Sequence, residues 1–307
     1  MQKLLISSFL NMKNNSLMRK HGKTFYWASF FLDKSKMQSI YSVYSFCRKL
    51  DDMVDEAKTP DIAKKRLLIF MEAWKKGRSH PVINLLSDIP KENWPDQRLV
   101  KNFLNGQISD INFSPFKSDK SLIIYCYQVA GTVGLMVCDI FGVKDKKMRY
   151  FAIDLGIAMQ LVNISRDIYE DSLRNRVYLP ESVIGKNTAR EITNPDKETA
   201  RKIDAARKQI IKLANIYFDS ASRAIDHLPS GASLAVKLAS ALYQQIGYKL
   251  MNMQYESKEK RCYVSKFNKI LITLSIITKY MTTFKVCMKP HNKTLHKYIH
   301  NLPDAHY

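Results

Sequence analysis

The chain has 307 residues, 46% of them hydrophobic, and carries 49 Lys/Arg against 28 Asp/Glu, a formal net charge of +21. This is the composition of a folded, soluble protein with one large core or two small ones, and its basic balance attracts nucleic acid, anionic lipid headgroups or phosphorylated substrates without choosing among them. Cys47, Cys126, Cys138, Cys262 and Cys287 form no Cys-x-x-Cys pair and leave an odd count, which argues for reduced thiols in the cytoplasm and against zinc held by cysteine.

From the N-terminus, Lys3 and the short apolar stretch Leu4 to Leu10 resemble a stunted export signal without a small-x-small cleavage site, so an ordinary N-terminal helix is expected. Segment 34 to 57 carries Ile40, Val43, Phe46, Cys47, Leu50 and Val54 at helical spacing and stops before Pro60. Leu67, Phe70, Met71 and Trp74 continue the pattern over 62 to 77, predicting a helical hairpin. Pro90, Pro95 and Pro115 bracket a shorter helix near 96 to 110. The stretch 119 to 141 is apolar and rich in small residues. Gly131 and Gly134 there serve either close helix packing or the shaping of a cavity.

Segment 145 to 172 predicts one long helix, and Arg176 to Asn194 a loop. Asn194 is expected to cap the next helix with Pro195 in its first turn, running through Tyr217 to a break at Pro229–Gly231. Helices over 232 to 256 and 263 to 283 precede a basic tail with Pro290 and Pro303. The apolar run Ile270 to Thr278 is far shorter than the roughly 20 residues that cross a bilayer. With no strand-like alternation, repeat or linker, the expected architecture is a single all-α domain over 1–285 built around a central cavity, followed by a basic tail over 286–307.

Two acidic clusters stand out: Asp51-Asp52-Met53-Val54-Asp55-Glu56, and Asn163 through Asp171 with Asp167, Glu170 and Asp171. Asp51 and Asp55, like Asp167 and Asp171, are four residues apart and share a helix face, where like charges repel unless a cation intervenes. Hard oxygen ligands on facing helices match Mg²⁺, whose coordination is completed by substrate phosphates and water, so the substrate is expected to be a diphosphate. Polar stripes extend both clusters: Tyr41, Tyr44 and Arg48 on the first helix, Gln160 and Asn163 on the second. Arg48 and Arg166 are placed to meet a departing diphosphate, while Phe25, Tyr41, Tyr44, Tyr125 and Tyr243 are candidates for a cavity wall that stabilises carbocations through its π faces. His296 and His300 have a metal-compatible spacing but are expected to lie on a solvated tail. Lys258, Lys260, Arg261, Lys266 and Lys269 form a basic run, from which Arg261 could close over a diphosphate.

These motifs in full are HGKTFYWAS at 21–29, YSVYSFCRKLDDMVDE at 41–56, YCYQVAGTVG at 125–134, QLVNISRDIYEDSLRNRVYLP at 160–180 and RCYVSK at 261–266. Through them the chain resembles the squalene/phytoene synthase family, most closely its phytoene synthases. The resemblance implies an isoprenoid-synthase helical bundle, Mg²⁺ dependence (three ions with substrate diphosphate) and head-to-head joining of two allylic prenyl diphosphates. It also implies Mg²⁺ ligation by Asp51, Asp55, Asp167 and Asp171, and diphosphate contacts from Lys23, Tyr44, Arg48, Gln160, Asn163, Arg166, Tyr178 and Arg261. Gly22 departs from the serine often found in relatives, whereas Thr24 keeps the second hydroxyl. The carotenoid-branch wording implies two geranylgeranyl diphosphates giving phytoene without NADPH. Farnesyl diphosphate as substrate, giving squalene, presqualene diphosphate or dehydrosqualene, is the near alternative, and a non-catalytic membrane-associated relative the distant one. Peripheral membrane contact is expected for so apolar a product. No nucleic acid is expected, because no reader motif accompanies the charge.

Overall fold

Helix boundaries in the computed structural model, which describes residues 14–255, 261–282 and 288–306, follow local capping chemistry. The chain is helical over 14–21 (α1) and again in α2 (Lys23–Ser29). Asp33 opens α3 (Lys34–Asp55), its carboxylate accepting the Lys36 N–H at 2.9 Å. Thr59 caps α4 (Pro60–Lys75) with proline at the first position, Asp96 caps α5 (Gln97–Ile111), and Asp145 caps α8 (Lys146–Arg166). Each side-chain oxygen satisfies an amide that the first turn leaves without a partner.

The apolar stretch is a continuous helical rod: α6 (Asp119–Cys126), a π turn at Tyr127–Gly131, and α7 (Thr132–Phe141), closed by Gly142 at φ +71°. At 23 residues it is long and apolar enough to cross a membrane, the only such helix among the described residues, yet 56% of its most apolar window is buried inside the fold. It packs on α5, α3 and α8, so its hydrophobicity serves the core.

Several boundaries differ from the sequence reading. The helix expected over 145–172 bends at Asp167 into α8 and α9 (Ile168–Ser172). The hydrogen-bond ladder persists through the bend, from Asp167 N–H to Asn163 O at 2.9 Å and from Asp171 N–H to Asp167 O at 2.8 Å. The expected loop contains α10 (Glu181–Ile184) and α11 (Ala189–Thr193), the latter opened by a Thr188/Glu191 capping box. Asn194 closes α11 through its N–H to Arg190 O at 3.0 Å, and Asp196 instead caps α12 (Lys197–Ile225), leaving Pro195 outside the helix. Then follow α13 (Ser230–Met251) and α14 (Lys266–Thr282).

The segment after α14 is not a solvated tail. Ile299 and Ala305 are fully buried, and Leu295, Tyr298 and Leu302 pack against the core while Lys293 and Lys297 stay exposed. Its basic residues alternate with apolar ones at three- and four-residue steps, a periodicity that composition alone conceals. Leu4 to Leu10, Lys258, Lys260 and Cys287 lie outside the described residues.

α8 runs through the middle of the bundle, packed against α12, α13 and α7, with Ile153, Ile157 and Leu161 wholly buried. It approaches the α6–α7 rod at van der Waals limits. A Cβ on Gly134 would lie 2.4 Å from Ala152 O, and one on Gly156 2.4 Å from Ala130 O. These reciprocal glycines let two backbones touch, and both also border the central cavity.

Candidate active site

The cavity, about 340 Å³, is bounded by α2, α3, the π turn with α7, α8, α12 and α13. On α8 its lining residues are Met148, Phe151, Ala152, Leu155, Gly156, Met159, Gln160 and Asn163, one continuous face at three- and four-residue spacing. At 1.5 Å per residue that face spans about 22 Å. On α3 the lining runs from Ile40 through Tyr44, Cys47 and Arg48 to Asp51. Both helices therefore carry their polar lining at the same end, and below it the walls are apolar: Val133, Val137, Phe141, Phe151, Leu228 and Val236.

At the polar end the two acidic clusters meet. Asp55 on α3 pairs with Arg176 at 2.8 Å and with Arg174 at 3.2 Å, both from the segment just after α9, so arginines bridge one acidic motif to the other. Asp167 is clasped twice: Arg166 donates to its two oxygens at 2.7 and 2.6 Å, and Arg261 at 3.0 Å to each. Burial pushes the Asp167 carboxyl up, but the Arg166 and Arg261 guanidiniums outweigh burial and hold it below the usual range. The opposite holds for its neighbours. Burial, then the charge of Asp55, lifts Asp51 to about 8, and burial with the charge of Asp167 lifts Asp171 well above the carboxylate range. The site thus concentrates acidic groups beyond what its arginines neutralise, the electrostatic condition under which a bound cation is favoured.

Asp110, on α5, is a third acidic centre that the sequence reading did not single out. Its two oxygens accept the hydroxyls of Tyr125 at 2.9 Å and Tyr178 at 2.8 Å, whose rings stack 4.9 Å apart. Burial lifts its carboxyl to about 6 against the opposing pull of Arg176. A charged residue continuing the apolar line Leu99, Phe103, Gly106 was the available signal. Arg176, read as loop, was legible only as part of the RNRVYLP wording.

The remaining candidates fall into three groups. Tyr44, Arg48, Gln160, Asn163 and Tyr243 line the cavity's polar end. There Asn163 donates to Gln160 at 3.2 Å, and Phe25 packs on Tyr243 with ring centroids 5.4 Å apart. Arg48 is turned toward Asp52 at 2.8 Å, another partner not anticipated. Tyr125 and Tyr178 belong to the Asp110 cluster rather than the lining, and Tyr41 lies behind it, its hydroxyl 3.0 Å from Ser29 Oγ. Lys23 is exposed and Thr24 half-buried at the start of α2, just beyond Gly22, where a Cβ would stand 2.9 Å from the Tyr44 ring. The glycine therefore makes room for Tyr44. His296 and His300 do not face one another: His300 is exposed, while His296 is buried beside His291.

Comparisons with known proteins agree with this architecture. The family model described as squalene/phytoene synthase matches residues 18–268. Phytoene synthase 2, chloroplastic, of Oryza sativa subsp. japonica is 32% identical over 270 residues, covering 82% of this chain and 66% of the relative. Phytoene synthase 1, chloroplastic, of Arabidopsis thaliana is 30% identical over 264 residues, covering 82% and 62%. The match thus spans slightly less than two thirds of these relatives' length. Among solved structures, a dehydrosqualene synthase in complex with ligand superposes with a TM-score of 0.76 at 26% identity, covering 90% of this chain and 98% of that one. Squalene synthase HpnC from Alicyclobacillus acidocaldarius shares the fold, with a TM-score of 0.66 at 23% identity and coverage of 80% and 94%. On the family model and the rice relative together, this chain belongs to the squalene/phytoene synthase family.

Proposed function

We propose that this chain is a Mg²⁺-dependent prenyltransferase that condenses two geranylgeranyl diphosphates head to head, through a cyclopropyl diphosphate, to phytoene. The observation that carries the reading is the geometry of the cavity: Asp51 of the first acidic motif lies at its polar end, and the α8 face that lines it runs about 22 Å from Asn163 down to Met148, apolar below Gln160. A prenyl chain advances roughly 5 Å per isoprene unit from its bond lengths, so four units match that depth and three leave it partly empty. Relatives named phytoene synthase support the same substrate.

Asp51, Asp55, Asp167 and Asp171 are the residues that would hold Mg²⁺, and the elevated Asp51 carboxyl fits such a role because a nearby dication restores its ionised form. Bound there with substrate, Mg²⁺ supplies Lewis-acid stabilisation of the diphosphate leaving group. Arg48, Arg166, Arg174, Arg176 and Arg261 surround the same end and orient the diphosphate by charge-assisted hydrogen bonds. Ionisation leaves an allylic cation where the polar end meets the apolar channel, and there Phe25, Tyr44 and Tyr243 line the wall and present π faces to it. The double bond of the second substrate attacks that cation, a proton is lost to close the cyclopropane, and a second ionisation and rearrangement followed by proton loss give the 1–1′ product.

The likeness to a dehydrosqualene synthase favours farnesyl diphosphate as the second reading. Purified protein supplied with Mg²⁺ and either substrate, with and without NADPH, separates them. A C40 hydrocarbon from the longer substrate without NADPH is expected; a C30 product from the shorter one alone moves the chain to the triterpene branch, and no turnover with either overturns catalysis.

Peripheral membrane contact belongs to the same proposal. Along and just before α14, Tyr263 (73% exposed), Phe267 (67%), Leu274 (56%) and Met281 (81%) present apolar surface flanked by Lys266, Lys269 and Lys279. That combination, on a chain of net charge +21, matches an anionic lipid surface. Cosedimentation with anionic vesicles should fall in high salt and in the double variant Phe267→Ser/Leu274→Ser; binding unchanged by both refutes this face.

A further inference from the structure

On the side of α8 turned away from the cavity, three metal-competent side chains converge where no catalytic role places them. Asp154 is completely buried. Its Oδ2 lies 2.7 Å from His291 Nε2 and its Oδ1 2.9 Å from His296 Nε2, and both imidazoles are themselves buried. A donor atom from each residue lies within 4.8 Å of the other two. The histidines come from positions 137 and 142 residues further along the chain, so the cluster forms only when the C-terminal segment docks on α8. Phe151 meets His291 edge-on at 5.1 Å and Tyr150 flanks both imidazoles, closing the pocket with aromatic walls.

We propose that Asp154, His291 and His296 form a structural transition-metal site, with Zn²⁺ as the expected ion, that fastens the C-terminal segment to the outer face of α8. Two imidazoles and one carboxylate are a borderline donor set that prefers Zn²⁺ over the oxygen-seeking Mg²⁺, so the site is chemically separate from the acidic motifs. With these three donors and one water completing a tetrahedron, Zn²⁺ bonds of about 2.0–2.1 Å would put neighbouring ligand atoms about 3.3 Å apart. The contacts of 2.7 and 2.9 Å are hydrogen-bond lengths, so the ion takes the place of the shared protons as the imidazoles retreat by about half an ångström. Because a site built from two distant segments is absent in the unfolded chain, binding there stabilises the docked state directly. The segment has other anchors: Tyr217 to Leu295 O at 2.9 Å, Tyr127 to Pro303 O at 2.6 Å, Tyr150 to His306 O at 2.7 Å, and Arg149 to Asp304 at 2.8 Å. Removing one ligand therefore leaves the segment held, and the variants remain interpretable.

The test is a Zn²⁺ titration of chelator-treated full-length protein against a chromophoric competitor, with thermal denaturation alongside and Co²⁺ as a spectroscopic substitute. Expected are one equivalent of Zn²⁺, a visible Co²⁺ band of tetrahedral intensity, and a rise in melting temperature on Zn²⁺ addition. In His291→Gln and in His296→Gln, each checked for folding by circular dichroism, affinity should fall about 100-fold and the Zn²⁺-dependent rise disappear. In Asp51→Asn/Asp167→Asn, which removes two acidic-motif carboxylates, all three signals should persist. Absence of bound Zn²⁺, equal binding in the histidine variants, or loss of binding in the Asp51→Asn/Asp167→Asn variant would each overturn the site and leave a hydrogen-bonded cluster.

Discussion

Substitution of Ala152 by phenylalanine tests whether cavity depth sets substrate length. Ala152 lines the channel eleven residues below Asn163, about 16 Å along the α8 axis, with Met148 a further turn below. A ring there seals the channel beneath that level, leaving room for three isoprene units of roughly 5 Å and displacing the fourth. At about 0.8 kcal/mol per buried methylene, losing most of that terminal unit costs the longer substrate about 3 kcal/mol, or roughly 10²-fold in the kcat/KM ratio of geranylgeranyl to farnesyl diphosphate. Because the added ring enters open cavity rather than packed core, the variant should melt within a few degrees of the parent. Equimolar competition between the two substrates, with hydrocarbons separated by chromatography and identified by mass, reads the ratio directly. If a folded Ala152→Phe protein keeps the parent ratio, or loses both activities equally, the channel does not measure chain length.

Gly156→Ala should destabilise the protein, although alanine is the better helix former by about 0.5–1 kcal/mol. Its Cβ would meet Ala130 O at 2.4 Å, so the two backbones must part, with a net loss of about 1–2 kcal/mol; a urea midpoint that rises instead refutes the packing argument. Metal-free protein should lose stability as pH rises from about 4 to 8. Asp51 binds its proton more tightly folded, at about 8, than unfolded, at 3.8, so deprotonation favours the unfolded chain, by on the order of 1 kcal/mol per pH unit within that window. Mg²⁺ with inorganic diphosphate should flatten the slope, and a metal-free profile flat over this range contradicts the burial of Asp51. Arg261→Ala breaks an ion pair whose arginine is 58% exposed, so stability should change by less than about 1 kcal/mol while KM for prenyl diphosphate rises about tenfold. An unchanged KM means that Arg261 only screens Asp167.

Short-range periodicity and spacing are legible directly in the order of residues. Apolar residues at three- and four-residue steps specify helices, and Asp51/Asp55 with Asp167/Asp171 specify two like-charged faces that require a positive partner. Extended by Tyr44, Arg48, Gln160 and Asn163, those faces already define the polar end of the cavity. Tertiary structure decided what depends on residues distant in the chain. Asp110 acquires its meaning from two tyrosines 15 and 68 positions away, and Asp55 from arginines 119 and 121 away. Tyr41 sits one helical turn from Tyr44 yet lies behind the lining, because the packing of α2 covers it. The C-terminal segment read as solvated from its charge, but burial depends on which face finds a partner, and the outer face of α8 supplied one. Only the docking of distant segments could bring Asp154, His291 and His296 together, since side-chain chemistry is local while its pairing is fixed by the path of the whole chain.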